Sequence, residues 1–191
     1  DIREVRPKTA MHSRSLNGGP IIDMAGHYFD LVRFITGTEP VSVYAQGHVF
    51  GRGKERLEKI EDFAIDSAEI LVTYDTGHIC SVCVNWGMPE GFPAVTNPGL
   101  ITGSEKSVEV CSHRSILIRT GEGKQTVDLP QGPETELGEK ISDFIEAIET
   151  YRDPDVSGRD GKIVLDVCLA ALESAENSDA VAIAGRNAYA I

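Results

Sequence analysis

An aspartate and a histidine four residues apart, Asp23 and His27, are the side chains in this sequence best suited to chemistry. At that spacing both lie on one side of a helix, and Asp30 continues the same line. An imidazole is the group best able to move protons near neutral pH, and a neighbouring carboxylate favours its charged form. A structural ion pair in the first turn of a helix is the commoner origin of such spacing. The pair predicts a proton-transfer site without naming a reaction.

The segment that carries the pair has the signals of one helix with a clear start and end. Residues 17–19 (Asn-Gly-Gly) predict a turn, Pro20 suits the first helical position, and Gly37 suits the left-handed residue that ends a helix. Two neighbouring apolar rows run between these ends: Ile22, Ala25, Phe29 and Val32, then Met24, Tyr28, Leu31 and Ile35. We therefore expect almost the whole helix surface to be buried, so that Asp23 and His27 face a cleft or an interface. The two glycines leave room for a ligand or another backbone.

Composition disfavours several classes of partner. The 191 residues include 18 Lys and Arg against 30 Asp and Glu, a formal net charge of −12. Nucleic acid and anionic membranes are bound mainly through clustered Lys and Arg, so neither is an expected partner. No apolar run has the length of a transmembrane helix, and no basic-then-apolar leader opens the chain. We expect a cytoplasmic globular protein.

Cysteine and histidine offer weaker candidates for chemistry. The four cysteines are expected to be reduced and buried: Cys80, Cys83, Cys111 and Cys168. The first two share a predicted strand at an odd spacing, which directs them to opposite faces and spoils a shared zinc site. A metal site formed by Asp23, His27 and His12 is a minor alternative.

After the first helix the sequence pattern changes to that of strands. Alternating apolar residues predict a strand over 41–50, followed by a charged loop over 51–62. The clearest hairpin joins strands 67–74 and 78–86 through a turn at 75–77. Further short strands are predicted at 99–103, 107–111, 116–119 and 125–129. Because their connectors are tight, neighbouring strands must be antiparallel.

Two amphipathic helices are predicted to close the chain, the first capped by Thr135 and the second by Asp160. Their inner faces comprise Leu137, Ile141, Phe144, Ile145 and Ile148 in the first, and Val164, Val167, Cys168, Ala171, Leu172 and Ala175 in the second. The pattern predicts one α+β domain over residues 1–191, an open, mainly antiparallel sheet with helices on one face. The other face is expected to meet a second copy through aromatic residues: Tyr44, Phe50, Tyr74 and Trp86.

Residues 18–30 (Gly-Gly-Pro-Ile-Ile-Asp-Met-Ala-Gly-His-Tyr-Phe-Asp) resemble the start of the C-terminal domain in the Gfo/Idh/MocA oxidoreductases, a group of NAD(P)-dependent sugar and inositol dehydrogenases. Further segments are similar in the same order: 74–77, 101–103, 143–148, 157–161 and 170–175. The resemblance spans nearly the whole chain. It implies an open-sheet domain like the C-terminal domain of dihydrodipicolinate reductase.

The resemblance also implies roles for individual residues. His27 would take or relay the proton of a substrate hydroxyl during hydride transfer, and Asp23 would orient the sugar. Asp30 is expected to be structural, a tie between helix and sheet. Arg14 and Asn17 immediately precede the helix and are the candidates for substrate contacts. In the family, an N-terminal Rossmann domain binds the dinucleotide and supplies a lysine from a Glu-Lys-Pro motif.

The sequence departs from the family in its cofactor half. It contains neither Gly-x-Gly-x-x-Gly nor Glu-Lys-Pro, and it starts at Asp1. We expect the substrate-binding and oligomerisation half of an enzyme that uses NAD or NADP at full length, with no cofactor bound by this chain alone and no activity in isolation. The expected assembly is a homodimer or homotetramer through the open sheet face. The alternative is a non-catalytic dimerisation or binding module of the same fold.

Overall fold

The computed structural model describes residues 9–87, 99–112, 115–129 and 136–183. Thr135, the predicted cap of the first closing helix, and the cations of residues 1–8 lie outside these ranges. The chain divides into two compact units, one comprising Asp1–Phe92 with Val156–Ile191 and the other Pro93–Asp155.

The described residues form three α-helices and eight strands. The helices are α1 (Gly26–Thr36), α2 (Glu136–Thr150) and α3 (Gly158–Asn177). The strands are β1 (Pro40–His48), β2 (Ser67–Tyr74), β3 (Ile79–Asn85), β4 (Leu100–Thr102), β5 (Lys106–Ser112), β6 (Ser115–Thr120), β7 (Gly123–Asp128) and β8 (Val181–Ala182). Shorter helical turns occupy Thr9–His12, Ile21–Ala25 and Glu55–Leu57. No helix in these ranges has both the length and the apolarity needed to cross a membrane.

The first unit is an antiparallel sheet covered by helices on one face. Its strand order is β3-β2-β1-β8, and the short strand β8 was not predicted from the sequence. Alternate residues of the strands point inward to meet α1, α3 and the turn Ile21–Ala25. The buried core includes Ile21, Ala25, Phe29, Val43, Ala45, Ile70, Val72, Val167, Cys168 and Ala171. The predicted α+β class, with helices packed on one face of a mainly antiparallel sheet, is confirmed.

The first helix is less buried than its two apolar rows suggest. The row that contains Ala25 and Phe29 faces the sheet, whereas Tyr28, Leu31 and Ile35 in the other row are 46%, 49% and 53% exposed. The expectation of near-complete burial is therefore wrong for the second row, because α1 lies on the surface of a single sheet and only one side of it meets strands.

Two of the four aromatic residues predicted on the open sheet face are buried instead. Tyr44 and Phe50 are about half exposed, but Tyr74 is 1% and Trp86 6% exposed. The parity of the strands gives the reason: Tyr74 has the same direction as Val72, so it points toward the helices. The open face is less aromatic than we expected.

The second unit contains a separate sheet, in the order β4-β5-β6-β7, with antiparallel neighbours throughout. The predicted short strands are all present, and they form this second sheet instead of extending the first. The predicted inner face of α2 is not buried: Ile141, Phe144, Ile145 and Ile148 are each half exposed or more.

The residue that caps the start of α3 differs from the predicted one, Asp160. The capping residue is Ser157, three residues before Asp160. The Ser157 backbone N–H donates to Asp160 Oδ2 at 2.8 Å, so the two residues form a capping box. Hydrogen bonds from Ser157 lower the pKa of Asp160.

A buried serine connects α3 to the sheet. Ser174 is fully buried, accepts the Ala45 N–H at 2.8 Å and donates to the Asp179 carbonyl oxygen at 2.6 Å. The hydroxyl thereby supplies a partner to the buried Ala45 N–H and joins the end of α3 to the turn at Asp179.

Ser174→Ala should therefore lower the free energy of unfolding by about 1–3 kcal/mol, the usual cost of leaving a buried polar group unpaired. Denaturant unfolding followed by circular dichroism measures the change. Ser81→Ala, at an exposed position of β3, is the matched control and should stay within about 0.5 kcal/mol of the parent. Equal stability of the two variants would contradict the assigned role of Ser174.

Candidate functional site

The segment before the first helix is held by one carboxylate. Asp62 accepts hydrogen bonds from Ser13 Oγ at 2.9 Å and from the Ser15 backbone N–H at 2.8 Å. The Asp62 carbonyl oxygen also accepts the Arg14 N–H at 2.7 Å. Hydrogen bonds from Ser15 and Ser13 lower the pKa of Asp62 to about 2, so the carboxylate keeps its charge throughout the physiological range. Residues 13–15 therefore have a defined backbone path.

Two glycines form the turn that joins this segment to the first helix. Gly18 and Gly19 have φ values of 83° and 77°, in the region that favours glycine. A Cβ atom on Gly19 would lie 2.6 Å from the Ile65 carbonyl oxygen. The space that we predicted for a ligand or another backbone is, at Gly19, occupied by the protein's own backbone at Ile65.

Asp23 lies on a π-helical turn, which the sequence did not indicate. Ile21–Ala25 forms this turn directly before α1. Single π-turns are rare and frequently occur at functional sites. Asp23 is half-buried and His27, one residue into α1, is exposed. Within the described ranges, neither side chain makes a hydrogen bond or an ion pair, so the structural explanation for the pair loses its support.

Asp30 was expected to tie the helix to the sheet, but its ion pair lies within α1, and Arg33 makes the link to another helix. Its carboxylate lies 3.8 Å from Arg33 Nη1, which also lies 3.3 Å from Asp160 Oδ1 at the start of α3. Glu39 forms a third ion pair with the Arg33 guanidinium at 2.9 Å. The hydrogen bond to Glu39 raises the pKa of Arg33.

The structure brings the two predicted substrate-contact residues into one cleft. Arg14 and Asn17 line a cleft of about 570 Å³ between the segment before the helix and the C-terminal half of α3. Its other lining residues are Ser15, Leu16, Gly18, Ile22, Leu169, Leu172, Glu173 and Glu176. Asp23 and His27 do not line this cleft, although Ile22 is the immediate neighbour of Asp23.

The cleft contains polar groups that sequence reasoning missed. Glu173 and Glu176 come from α3, and Glu176 Oε1 pairs with Arg14 Nη2 at 2.6 Å. No local pattern could have connected these glutamates to a segment about 160 residues earlier. The Asn17 Oδ1 atom is buried and has no hydrogen-bond partner within the described ranges. An unpaired amide oxygen of this kind can accept a hydrogen bond from a ligand hydroxyl.

Metal and thiol chemistry find little support in the described parts of the chain. No three His, Cys, Asp or Glu side chains there converge to hold a metal ion. His12, which was the third residue of the alternative metal site, is buried.

Cys80 and Cys83 take opposite faces of β3 as predicted, although Cys83 is exposed. A hydrogen bond with Glu69 raises the pKa of Cys83 to about 11, and burial raises that of Cys168 to about 12. Thiolates are scarce at neutral pH under these conditions.

A dinucleotide cradle is likewise not built by the described residues. Every strand pairing among them is antiparallel, whereas the Rossmann site needs a parallel strand–helix–strand unit with a glycine-rich turn. The residues present do not fit that group.

The family is decided by comparison of the sequence with family models. Residues 2–109 match the model described as the GFO/IDH/MocA C-terminal domain, which is more than half of the chain. The chain belongs to this family. The resemblance noted from residues 18–30 is thereby confirmed, and the oxidoreductase family is established.

Known proteins similar to this GFO/IDH/MocA domain are dehydrogenases and related oxidoreductases. The scyllo-inositol 2-dehydrogenase (NAD(+)) of Bacillus subtilis (strain 168) is 25% identical over 91% of this chain and 50% of its own. The inositol 2-dehydrogenase of Rhizobium meliloti (strain 1021) is 29% identical over 88% of this chain and 51% of its own. The present chain spans about half the length of these relatives.

A solved structure supports the fold. The aldose-aldose oxidoreductase from Caulobacter crescentus, solved as a complex with glycerol, superposes with a TM-score of 0.74 at 21% identity. The similarity covers 92% of this chain and 50% of that one.

Asp23→Asn and His27→Ala should each change the free energy of unfolding by less than about 0.5 kcal/mol, because neither side chain has a partner in the described protein to lose. Denaturant unfolding checks this. Phe29→Ala, which empties a fully buried position on the same helix, is the positive control and should cost about 3–5 kcal/mol. A loss from His27→Ala comparable to that of Phe29→Ala would make the histidine structural.

Proposed function

We propose that this GFO/IDH/MocA domain is the substrate-binding and oligomerisation half of an NAD(P)-dependent oxidoreductase that acts on a sugar, an inositol or a related polyol. The observation that carries the proposal is the state of Asp23 and His27. Asp23 lies on the π-turn, next in sequence to Ile22 of the cleft, and His27 follows one helical turn later in α1. Neither side chain has a partner in the described protein, so both are available to a ligand, and an imidazole near a carboxylate is suited to proton transfer.

We assign to these residues the transfer of a proton and the positioning of the substrate. His27 accepts the proton of the substrate hydroxyl on a ring nitrogen as that carbon is oxidised, and returns it in the reverse direction. Asp23 accepts a hydrogen bond from a neighbouring hydroxyl and orients the ring of the substrate. Arg14 and Asn17, which both line the cleft, contact further hydroxyls there. Polyols suit this set because each hydroxyl both donates and accepts.

The cofactor belongs to a part of the protein outside the described residues. NAD or NADP would supply the hydride acceptor, and the name of the Bacillus subtilis relative specifies NAD(+). Because the described residues form no dinucleotide cradle, we propose that this chain alone binds no cofactor and is inactive, and that the full-length enzyme is cytoplasmic.

The open face of the first sheet is the proposed assembly surface. Tyr44 of β1, Leu71 of β2 and Ser81 of β3 lie side by side across it, and Tyr44 and Leu71 are each 41% exposed. Ile79 on the edge strand adds a further exposed apolar side chain. A homodimer or homotetramer would cover these groups.

His27→Ala should lower kcat of the full-length protein by about 10²–10⁴-fold, the usual contribution of a general acid or base. Turnover would be followed by NADH or NADPH absorbance with a panel of inositols and sugars. His78→Ala is the control, because His78 hydrogen-bonds to Thr38 beyond the far end of α1. Full activity of His27→Ala would favour the alternative, a non-catalytic dimerisation or binding module of the same fold.

Leu71→Arg should dissociate the assembly, because it places a charge in the middle of the proposed interface, with an expected loss of at least roughly a hundredfold in self-affinity. Light scattering coupled to size-exclusion chromatography measures the mass. Glu58→Arg adds the same side chain at an exposed loop position away from the sheet and should leave the mass unchanged. An unchanged mass for both variants would move the interface elsewhere.

A further inference from the structure

His12 is buried without satisfying its polar atoms. The residue is 1% exposed, and neither Nδ1 nor Nε2 has a hydrogen-bond partner among the described residues. Its ring packs against Trp86, with the ring centroids 5.9 Å apart and the planes tilted by 59°. A neutral imidazole offers one donor and one acceptor, so burial with both unpaired is unusual and needs an explanation.

Two charged groups act on the His12 ring. The Asp66 carboxylate favours the charged imidazole and the Lys54 ammonium opposes it, while burial opposes it most strongly, so the pKa of His12 is lowered. Asp66 is itself engaged: its two carboxylate oxygens accept the N–H groups of Phe50 at 2.8 Å and Gly51 at 2.6 Å. Lys54 Nζ donates a hydrogen bond to the Gly87 carbonyl oxygen at 3.0 Å.

The position of His12 connects it to the cleft. Its carbonyl oxygen accepts the Ala64 N–H at 2.8 Å, and the next residue, Ser13, is held by Asp62. The chain then continues without interruption through residues 14–18, which form one wall of the cleft. The packing of His12 on Trp86 therefore fixes the chain two residues before that wall.

We propose that His12 is a proton-operated latch: the neutral ring, packed on Trp86, holds the chain that leads into the cleft wall at residues 14–18 in place, and the protonated ring leaves its pocket and loosens that wall. Above a pH of about 6.5, the ordinary pKa of histidine, the ring is neutral whether it is packed or released, and the latch is closed. As the pH falls below that value the released state takes up a proton more readily than the packed state. The released fraction then rises by at most about tenfold per pH unit for one proton.

Release is favoured over protonation in place because of the surroundings of the ring. A proton on a packed ring would put a charge in a buried position, out of reach of water and within the influence of Lys54. The Asp66 carboxylate already accepts hydrogen bonds from the N–H groups of Phe50 and Gly51. Turning it toward His12 would break these two bonds. Movement of the ring into water meets neither obstacle.

Trp86 provides a direct test, because it is the only tryptophan of the chain. Its emission maximum and its quenching by acrylamide would be titrated from pH 8 to pH 5, with far-UV circular dichroism to confirm that the fold persists. The expected result is a red shift and increased quenching as the pH falls below about 6.5. His12→Phe, which keeps an apolar ring against Trp86, should abolish the change, whereas His48→Gln should retain it.

Lys54→Met gives an independent check with a predicted direction. Removing a cation that opposes a proton on the packed His12 ring should stabilise the packed protonated state, so the release reported by the fluorescence should move to lower pH or become smaller, while Lys54→Arg should leave it in place. A Trp86 signal that does not change with pH, or a transition that persists in His12→Phe, would overturn the proposal. Quenching of emission without a red shift or a gain in acrylamide access would also overturn it, because that pattern means protonation of a ring that stays packed.

Discussion

The close approach of α1 and α3 to the inner face of the first sheet is the constraint on which the candidate site depends. A Cβ atom on Gly26 of α1 would lie 3.1 Å from Val164 of α3, and one on Gly47 of β1 would lie 3.4 Å from the Cβ of Ala175 on α3. The glycines therefore allow α3 to pack closely against both α1 and the sheet. Because α3 is held this closely, its C-terminal half forms the second wall of the cleft, opposite residues 14–18.

Local features of this fold could be predicted from the sequence because they depend on neighbouring residues. The β2–β3 hairpin has strand ends within a residue of those expected, since alternation and a turn at 75–77 specify both. The left-handed Gly37 at the end of α1 follows from the same kind of signal. The helix-on-sheet class also follows from patterning alone, because each apolar face must be covered by another element.

Features set by distant contacts could not be predicted. The division of the strands into two sheets depends on which strand edges meet, and short antiparallel connectors leave that choice open. The cleft depends on residues 14–18 meeting Glu173 and Glu176. The burial of Tyr74 differs in kind, because strand alternation alone places this residue on the same face as Ile70 and Val72, which is the buried face.

The polar groups of the first unit fall into two classes, and the difference between them is the strongest physical indication of function in this chain. Arg33, Asp62 and Ser174 have partners for their hydrogen-bonding groups, and each connects two elements of the fold. His27 and the Asn17 side-chain oxygen have no partner within the described residues. A hydrogen bond or ion pair within the fold stabilises it, whereas an unpaired buried group such as the Asn17 oxygen is a cost. The exposed His27 imidazole carries no such cost, and without a partner in the described protein it keeps both ring nitrogens available, as a group that exchanges a proton with a ligand must.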